Sequence, residues 1–175
     1  MNFYKTSLMG ALIIEPEELH DERGFFARTF CQGEFATQGI DPKVVQCNIS
    51  FNRMRGTLRG MHLQKFPYGE ARLIRCTKGA VYDVIIDLRP DSPTFTHWFA
   101  IDLSAANHKM VYVPDGCAHG FQTLEDNSEV FYQMSQFYHA ESAWGVRWDD
   151  PRFGVDWPLG PTTLSKRDRS YPDFR

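Results

Sequence analysis

Apolar and polar residues alternate in short runs along this chain, and turn-forming residues separate the runs. Leu8 to Ile14 reads as a strand that ends at Pro16, and DERGFFARTF (Asp21 to Phe30) as a Gly-containing turn leading into a second strand. Gly33 to Gly39 fits a short helix. Val44 to Phe51 is a strand that puts Gln46, Asn48 and Ser50 on one face, because side chains along a strand repeat every second residue. Such a polar row lines a cavity or faces water, and periodicity does not choose between the two.

Further strands are expected over Glu70 to Cys76 and Ala80 to Leu88, joined at the Lys78-Gly79 turn, then over His97 to Leu103, Met110 to Val113, Gly120 to Leu124 and Glu129 to Tyr138. After Trp144 the run WDDPRFGVDWP reads as an ordered loop, and Ser165 to Arg169 as one helical turn. About ten short strands with no long amphipathic helix predict an all-β sandwich or barrel with short flanking helices. Repeats, low-complexity tracts and a dividing linker are all absent, so 175 residues are read as one domain, residues 1–175.

Composition narrows the function classes. A net charge of −3 without a polybasic run gives no reason to expect nucleic acid or a membrane surface as partner. No apolar stretch reaches the length of a membrane span, and the N-terminus lacks a basic segment and a cleavage signature, so a cytoplasmic protein is expected. Cys31, Cys47, Cys76 and Cys117 are scattered and read as free thiols.

The chemistry concentrates in RMRGTLRGMHLQ, Arg53 to Gln64. The expectation is that His62 faces a pocket and that Arg59 holds an anion beside it. Downstream, PDGCAHG carries Pro114, Gly116 and His119 at the spacing of the second signature of the cupin jelly roll. The first cupin signature would place a second histidine where this chain has Gln64, so a metal site of two histidines and a glutamate is not written here and no metal or other cofactor is expected.

The order of DERGFFARTF, VQCNIS, GTLRGMHLQ, ARLIRCTKGAVYDVIIDLRPDSPTF, VPDGCAHGF, WDDPRFGVDWPL and LSKRD resembles the dTDP-4-dehydrorhamnose 3,5-epimerase family over roughly residues 8 to 168. The resemblance implies a metal-free cupin fold, usually a homodimer, that inverts carbons flanking the C4 ketone of a nucleotide-linked 6-deoxy-4-ketohexose in deoxysugar biosynthesis. Carried over by residue, it implies His62 as base, Asp168 as the carboxylate paired with it and Tyr132 as general acid on the opposite face of the sugar. It also implies Arg23, Phe26, Gln46, Asn48, Arg59, His119 and Glu141 as holders of nucleotide, diphosphate or sugar, with Arg23 contributed to the neighbouring subunit's site. Arg72 stands where the family carries a lysine near the ketone oxygen, Leu63 replaces an aromatic residue, and Arg28 stands where a glutamate near the nucleotide is common.

These residue types suit the chemistry. Imidazole, with an unperturbed pKa of about 6.5, can take a proton α to a ketone near neutral pH. A partner carboxylate fixes its tautomer and stabilises the imidazolium. Inversion needs a second group on the other face, and a phenol with a pKa of about 10 keeps its proton until needed. Arg72 can stabilise an enolate by charge and N–H donors but cannot readily release a proton. The alternatives are a ketoisomerase acting on a nucleotide 4-ketosugar and a nucleotide-sugar-binding cupin without chemistry. A metal-dependent oxygenase is disfavoured by Gln64. His20, His97, His108 and His139 have no supporting pattern and read as surface or structural.

Overall fold

The computed structural model describes residues 1–41 and 43–175. Its strands are β1 (Asn2–Lys5), β2 (Leu12–Glu15), β3 (Glu18–Asp21), β4 (Gly24–Ala27), β5 (Gln46–Asn52), β6 (Leu58–Gln64), β7 (Arg72–Lys78), β8 (Ala80–Asp87), β9 (Trp98–Ser104), β10 (Met110–Val113), β11 (Cys117–Thr123), β12 (Ser128–Met134) and β13 (Ala143–Gly145). Two short helices, α1 (Gln32–Thr37) and α2 (Lys166–Arg169), flank them. Six strands form one sheet in the order β1-β2-β10-β7-β12-β5, five form a second in the order β13-β6-β11-β8-β9, and β3-β4 is a separate hairpin. All the strand pairings are antiparallel. This is one of the two forms, sandwich or barrel, that the strand spacing predicts, and it is the jelly roll that the cupin signature and the family resemblance imply. The expected first strand is displaced: Leu8 to Ala11 is a turn, and the strands lie on either side of it.

Strand β8 shows why the two sheets stay together. Val81 and Ile85 point into a core shared with Ile74, Cys76, Val111 and Val130 of the facing sheet. Val84 and Ile86, on its other face, pack with Val146, Phe153 and Trp157. The Pro- and Trp-rich segment after Trp144 is therefore the cover of the five-stranded sheet's outer face. A strand covered on both sides loses the hydrophobic-in, polar-out alternation of a half-exposed one. Phe35 on α1 closes a third cluster with Ile14, Leu73 and Met110.

Strand β6 is irregular in a way that matters for the site. Its pairing with β11 runs His119 with His62 and then Phe121 with Arg59, so β6 spends three residues where β11 spends two. This is a β-bulge. It is formed at Gly60, where φ is +129° and an added Cβ would lie 2.5 Å from the Gly120 Cα.

Among the described residues, no helix is long and apolar enough to cross a membrane. All four cysteines are free, as expected. Burial pushes the Cys76 thiol up to about 11 and the Cys117 thiol up to about 12.

Candidate active site

A cavity of about 540 Å³ opens between the two sheets. The six-stranded sheet supplies Gln46, Asn48 and Ser50 from β5, Arg72 from β7, and Tyr132 and Met134 from β12. The polar row on β5 thus lines a cavity. The five-stranded sheet supplies Arg59, His62 and Gln64 from β6 and His119 and Phe121 from β11. Residues 59 and 62 would fall on opposite faces of a regular strand. The bulge at Gly60 removes that conflict and turns both side chains to the cavity.

Asp168 comes from the far end of the chain, and its delivery is built into the backbone. Thr57 and Thr163 form a parallel bridge, and the Leu58 amide donates to the Thr163 carbonyl at 2.9 Å. The Thr162 amide donates to the Gly56 carbonyl at 2.9 Å. The tail is thereby pinned beside the start of β6. Ser165 then caps α2, its hydroxyl accepting from the Asp168 amide at 3.0 Å. The Asp168 carboxylate meets His62 Nε2 at 2.7 Å and accepts from the Gly60 amide at 3.4 Å. Burial pushes the Asp168 carboxyl up, but the hydrogen bond and charge of His62 and the Gly60 donor outweigh it, so it sits below the ordinary carboxyl value.

A second pair lies one strand away. His119, the cross-strand partner of His62, meets the buried Asp83 carboxylate through Nε2 at 2.8 Å. Burial raises the Asp83 carboxyl, and the charge and hydrogen bond of His119 oppose the rise. Tyr132 lies edge-on to His119, ring centroids 6.1 Å apart. Burial drives the Tyr132 phenol well above its ordinary value, and the Asp83 charge adds to this against the pull of Arg72 and Arg59.

The cations are held differently. Arg59 Nε donates to Asn52 Oδ1 at 2.7 Å, which orients the guanidinium, and its terminal nitrogens make no hydrogen bond among the described residues. Arg72 is ion-paired with Glu70. Arg167 on α2 reaches the cavity next to Tyr138. The site therefore combines two histidine–carboxylate pairs, a protonated phenol on the wall opposite His62 and three guanidiniums.

Of the residues expected from sequence, His62, Arg72, Tyr132, Gln46, Asn48, Arg59 and His119 line this cavity and Asp168 backs it. Arg23 and Phe26 do not line it. They sit exposed on the β3–β4 hairpin, Arg23 bound to Asp21 at 3.1 Å. Glu141 meets His139 Nδ1 at 3.2 Å outside the cavity wall, and Arg28 pairs with Glu34 at 2.9 Å. His139 is structural, stacked on Tyr68. Glu70, Asp83, Tyr138 and Arg167 join the site without having been singled out in the sequence as site residues. Two of these left a signal: Glu70 stands two residues before Arg72 in the strand expected over Glu70 to Cys76, and Asp83 interrupts the apolar row of Val81 and Ile85.

Fold and site together define a cupin-type jelly-roll enzyme with acid–base groups on facing walls. A family model described as dTDP-4-dehydrorhamnose 3,5-epimerase matches residues 5–175. The dTDP-4-dehydrorhamnose 3,5-epimerase of Methanothermobacter thermautotrophicus is 42% identical over 176 residues, covering 99% of this chain and 94% of its own. The crystal structure of dTDP-4-dehydrorhamnose 3,5-epimerase from Bacillus anthracis, with TDP and PPi bound, superposes with a TM-score of 0.95 at 40% identity, covering 99% of each chain. A 3'-monoepimerase from Streptomyces bikiniensis in complex with dTDP-quinovose superposes at 0.88 with 34% identity, covering 96% of this chain and 85% of its own. The chain belongs to the dTDP-4-dehydrorhamnose 3,5-epimerase family and is an isomerase-class enzyme, a nucleotide-sugar epimerase by kind.

Proposed function

We propose that this enzyme inverts C3, C5 or both in a dTDP-linked 4-keto-6-deoxyhexose, in a deoxysugar biosynthetic route. The observation that carries the reading is the placement of the His62–Asp168 pair and Tyr132 on opposite walls of one cavity. His62 removes the proton from a carbon next to the C4 ketone, and the electron pair moves to the ketone oxygen as an enolate. Arg72 donates to that oxygen. Tyr132 then delivers its proton to the opposite face of the same carbon, which inverts it. Asp168 holds His62 in the tautomer that accepts a proton and stabilises the imidazolium.

Substrate binding follows from the cations. Arg59 and Arg167 suit a diphosphate, whose oxygens match the guanidinium fork. Gln46 and Asn48 offer amides to the nucleotide or sugar. The exposed Leu19, Phe25 and Phe26 on the hairpin, and Ile49 and Phe51 on edge strand β5, fit burial against a second copy. In that homodimer Arg23 and Phe26 reach the neighbouring cavity. Sedimentation at working concentration checks this, and a fully active monomer would count against it.

The reaction is tested by incubating the enzyme with dTDP-4-keto-6-deoxyglucose in D₂O and following C3 and C5 by NMR. Deuterium entering at either carbon together with inversion is the expected result, and the carbons labelled define how many centres are inverted. Binding without exchange would leave a nucleotide-sugar binder, and transfer of the ketone to C3 a ketoisomerase. Either outcome overturns the proposal.

A further inference from the structure

The contacts that hold Arg72 cross from one sheet to the other. Glu70, buried just before β7, accepts through Oε1 from Arg72 Nε at 3.1 Å and from an Arg72 Nη. Its Oε2 accepts from Gln64 Nε2 at 3.2 Å. Gln64 lies on β6, two residues beyond His62. Its two amide hydrogens are shared between Glu70 and the Tyr68 and Phe137 carbonyls, the carbonyls each at 3.0 Å, and its Oε1 accepts from the His139 amide at 2.5 Å. One carboxylate therefore ties the cavity's arginine, on the six-stranded sheet, to the strand that carries the histidine, on the five-stranded sheet. A buried ion pair is a poor source of stability, because desolvation cancels most of the attraction. Its place in the cavity wall calls for another reason.

We infer that Glu70 is a positioning residue for the proton-transfer reaction: it sets the Arg72 guanidinium at a fixed place relative to His62 and makes arginine the cation required there. The inference rests on the reading of the cavity under Proposed function. A guanidinium carries five N–H donors in a rigid fork. It can spend two on Glu70 and still present the others to an oxygen in the cavity. An ammonium is a compact charge on a flexible stem. Beside Glu70 it would settle on the carboxylate and leave the substrate. This accounts for arginine at position 72, where the family resemblance implies a lysine.

The test is a double-mutant cycle on the full chain, read as kcat and KM for inversion and as deuterium exchange in D₂O. Glu70→Gln should lower kcat by about 10²-fold, the cost of a group displaced by about 1 Å, with KM little changed. Arg72→Lys should lose a similar amount. Glu70→Gln/Arg72→Lys should recover about tenfold or more over Arg72→Lys alone, because the carboxylate that captures the ammonium is gone. A purely structural Glu70 would instead make the two losses multiply. That multiplication, or a folded Glu70→Gln with wild-type kcat, overturns the inference. Should Glu70→Gln not fold, Glu70→Asp withdraws the carboxylate by one methylene and should also lower kcat; an unchanged kcat there overturns it as well. A wild-type enzyme that exchanges no deuterium overturns the reading of the cavity and this inference with it. An active wild type with an indifferent Glu70 overturns only the latter.

Discussion

His62 and Tyr132 belong to different sheets, on β6 and β12, and line one cavity from opposite walls. A ligand between them has one group on each side. If His62 is the base, His62→Ala should abolish inversion and also the exchange of substrate protons with D₂O, because no enolate forms without it. Loss of a general base costs about 10²–10⁴-fold. Wild-type exchange in a folded His62→Ala protein would refute the mechanism.

Asp168→Asn keeps the size of the side chain and removes its charge. It should lower kcat for inversion by about 10²-fold or more, since the imidazolium then lacks its partner. The same substitution has a pH signature. The Asp168 carboxyl is held below its ordinary value of 3.8 in the folded chain. Its contribution to stability is therefore fully present above that value and is lost as pH falls through the lower folded value. Thermal unfolding should show a gap between wild type and Asp168→Asn at pH 7 that narrows below about pH 4. A gap that widens in acid would contradict the assignment.

What the sequence discloses of this site depends on how local each feature is. Strand alternation was enough to align Gln46, Asn48 and Ser50, because a strand's period needs only neighbouring residues. The union of Arg59 with His62 was expected, but its cause was hidden. A bulge is a relation between two strands, and nothing in RGMH marks it except the glycine. Asp168 lies 106 positions from His62. Only the LSKRD resemblance, not any periodicity, linked them. The displacement of the first strand has a local cause. Thr6 and Ala11 close a turn around Leu8, and the apolar Leu8 and Ala11 there mimic a strand while filling the core as turn residues. Arg23 marks the other limit, since its expected role involves a second chain.

Gly60→Ala tests the bulge. The added methyl would meet the Gly120 Cα at 2.5 Å, and φ of +129° is open to glycine and strained for alanine. Relief requires β6 and β11 to separate, which would move Arg59, His62 and the Gly60 amide together. The expected loss is about 2 kcal/mol or more of unfolding free energy in urea, with kcat reduced alongside. An alanine variant of wild-type stability and activity would mean that the close approach of the strands is dispensable.

Chelation should leave the enzyme active. Gln64, at the place where a ligand histidine would stand, has its amide committed to Glu70, Tyr68, Phe137 and His139. His62 and His119 each turn Nε2 to a carboxylate. Among the described residues, no group of three metal-ligating side chains converges. Dialysis against EDTA should not change kcat. A loss restored by one divalent ion would overturn this.

Tyr132→Phe separates the two proton transfers. The phenol is pushed up by burial first and by the Asp83 charge second, so it carries its proton throughout the neutral range and can act only as a donor in the forward step. Removing the hydroxyl leaves His62, Asp168 and Arg72 in place, so the enolate still forms. It can then be reprotonated only from the His62 side, which restores the original configuration. In D₂O this returns deuterium to the substrate without inversion wherever the base's proton has exchanged with solvent. Exchange should therefore persist in Tyr132→Phe while inversion falls by about 10²-fold or more. The ratio of exchange to inversion is the diagnostic quantity, because misfolding or weak binding lowers both together. Equal loss of the two, with nucleotide binding and thermal stability at wild-type values, would remove Tyr132 from the role of acid and leave the far wall of the cavity without a proton donor.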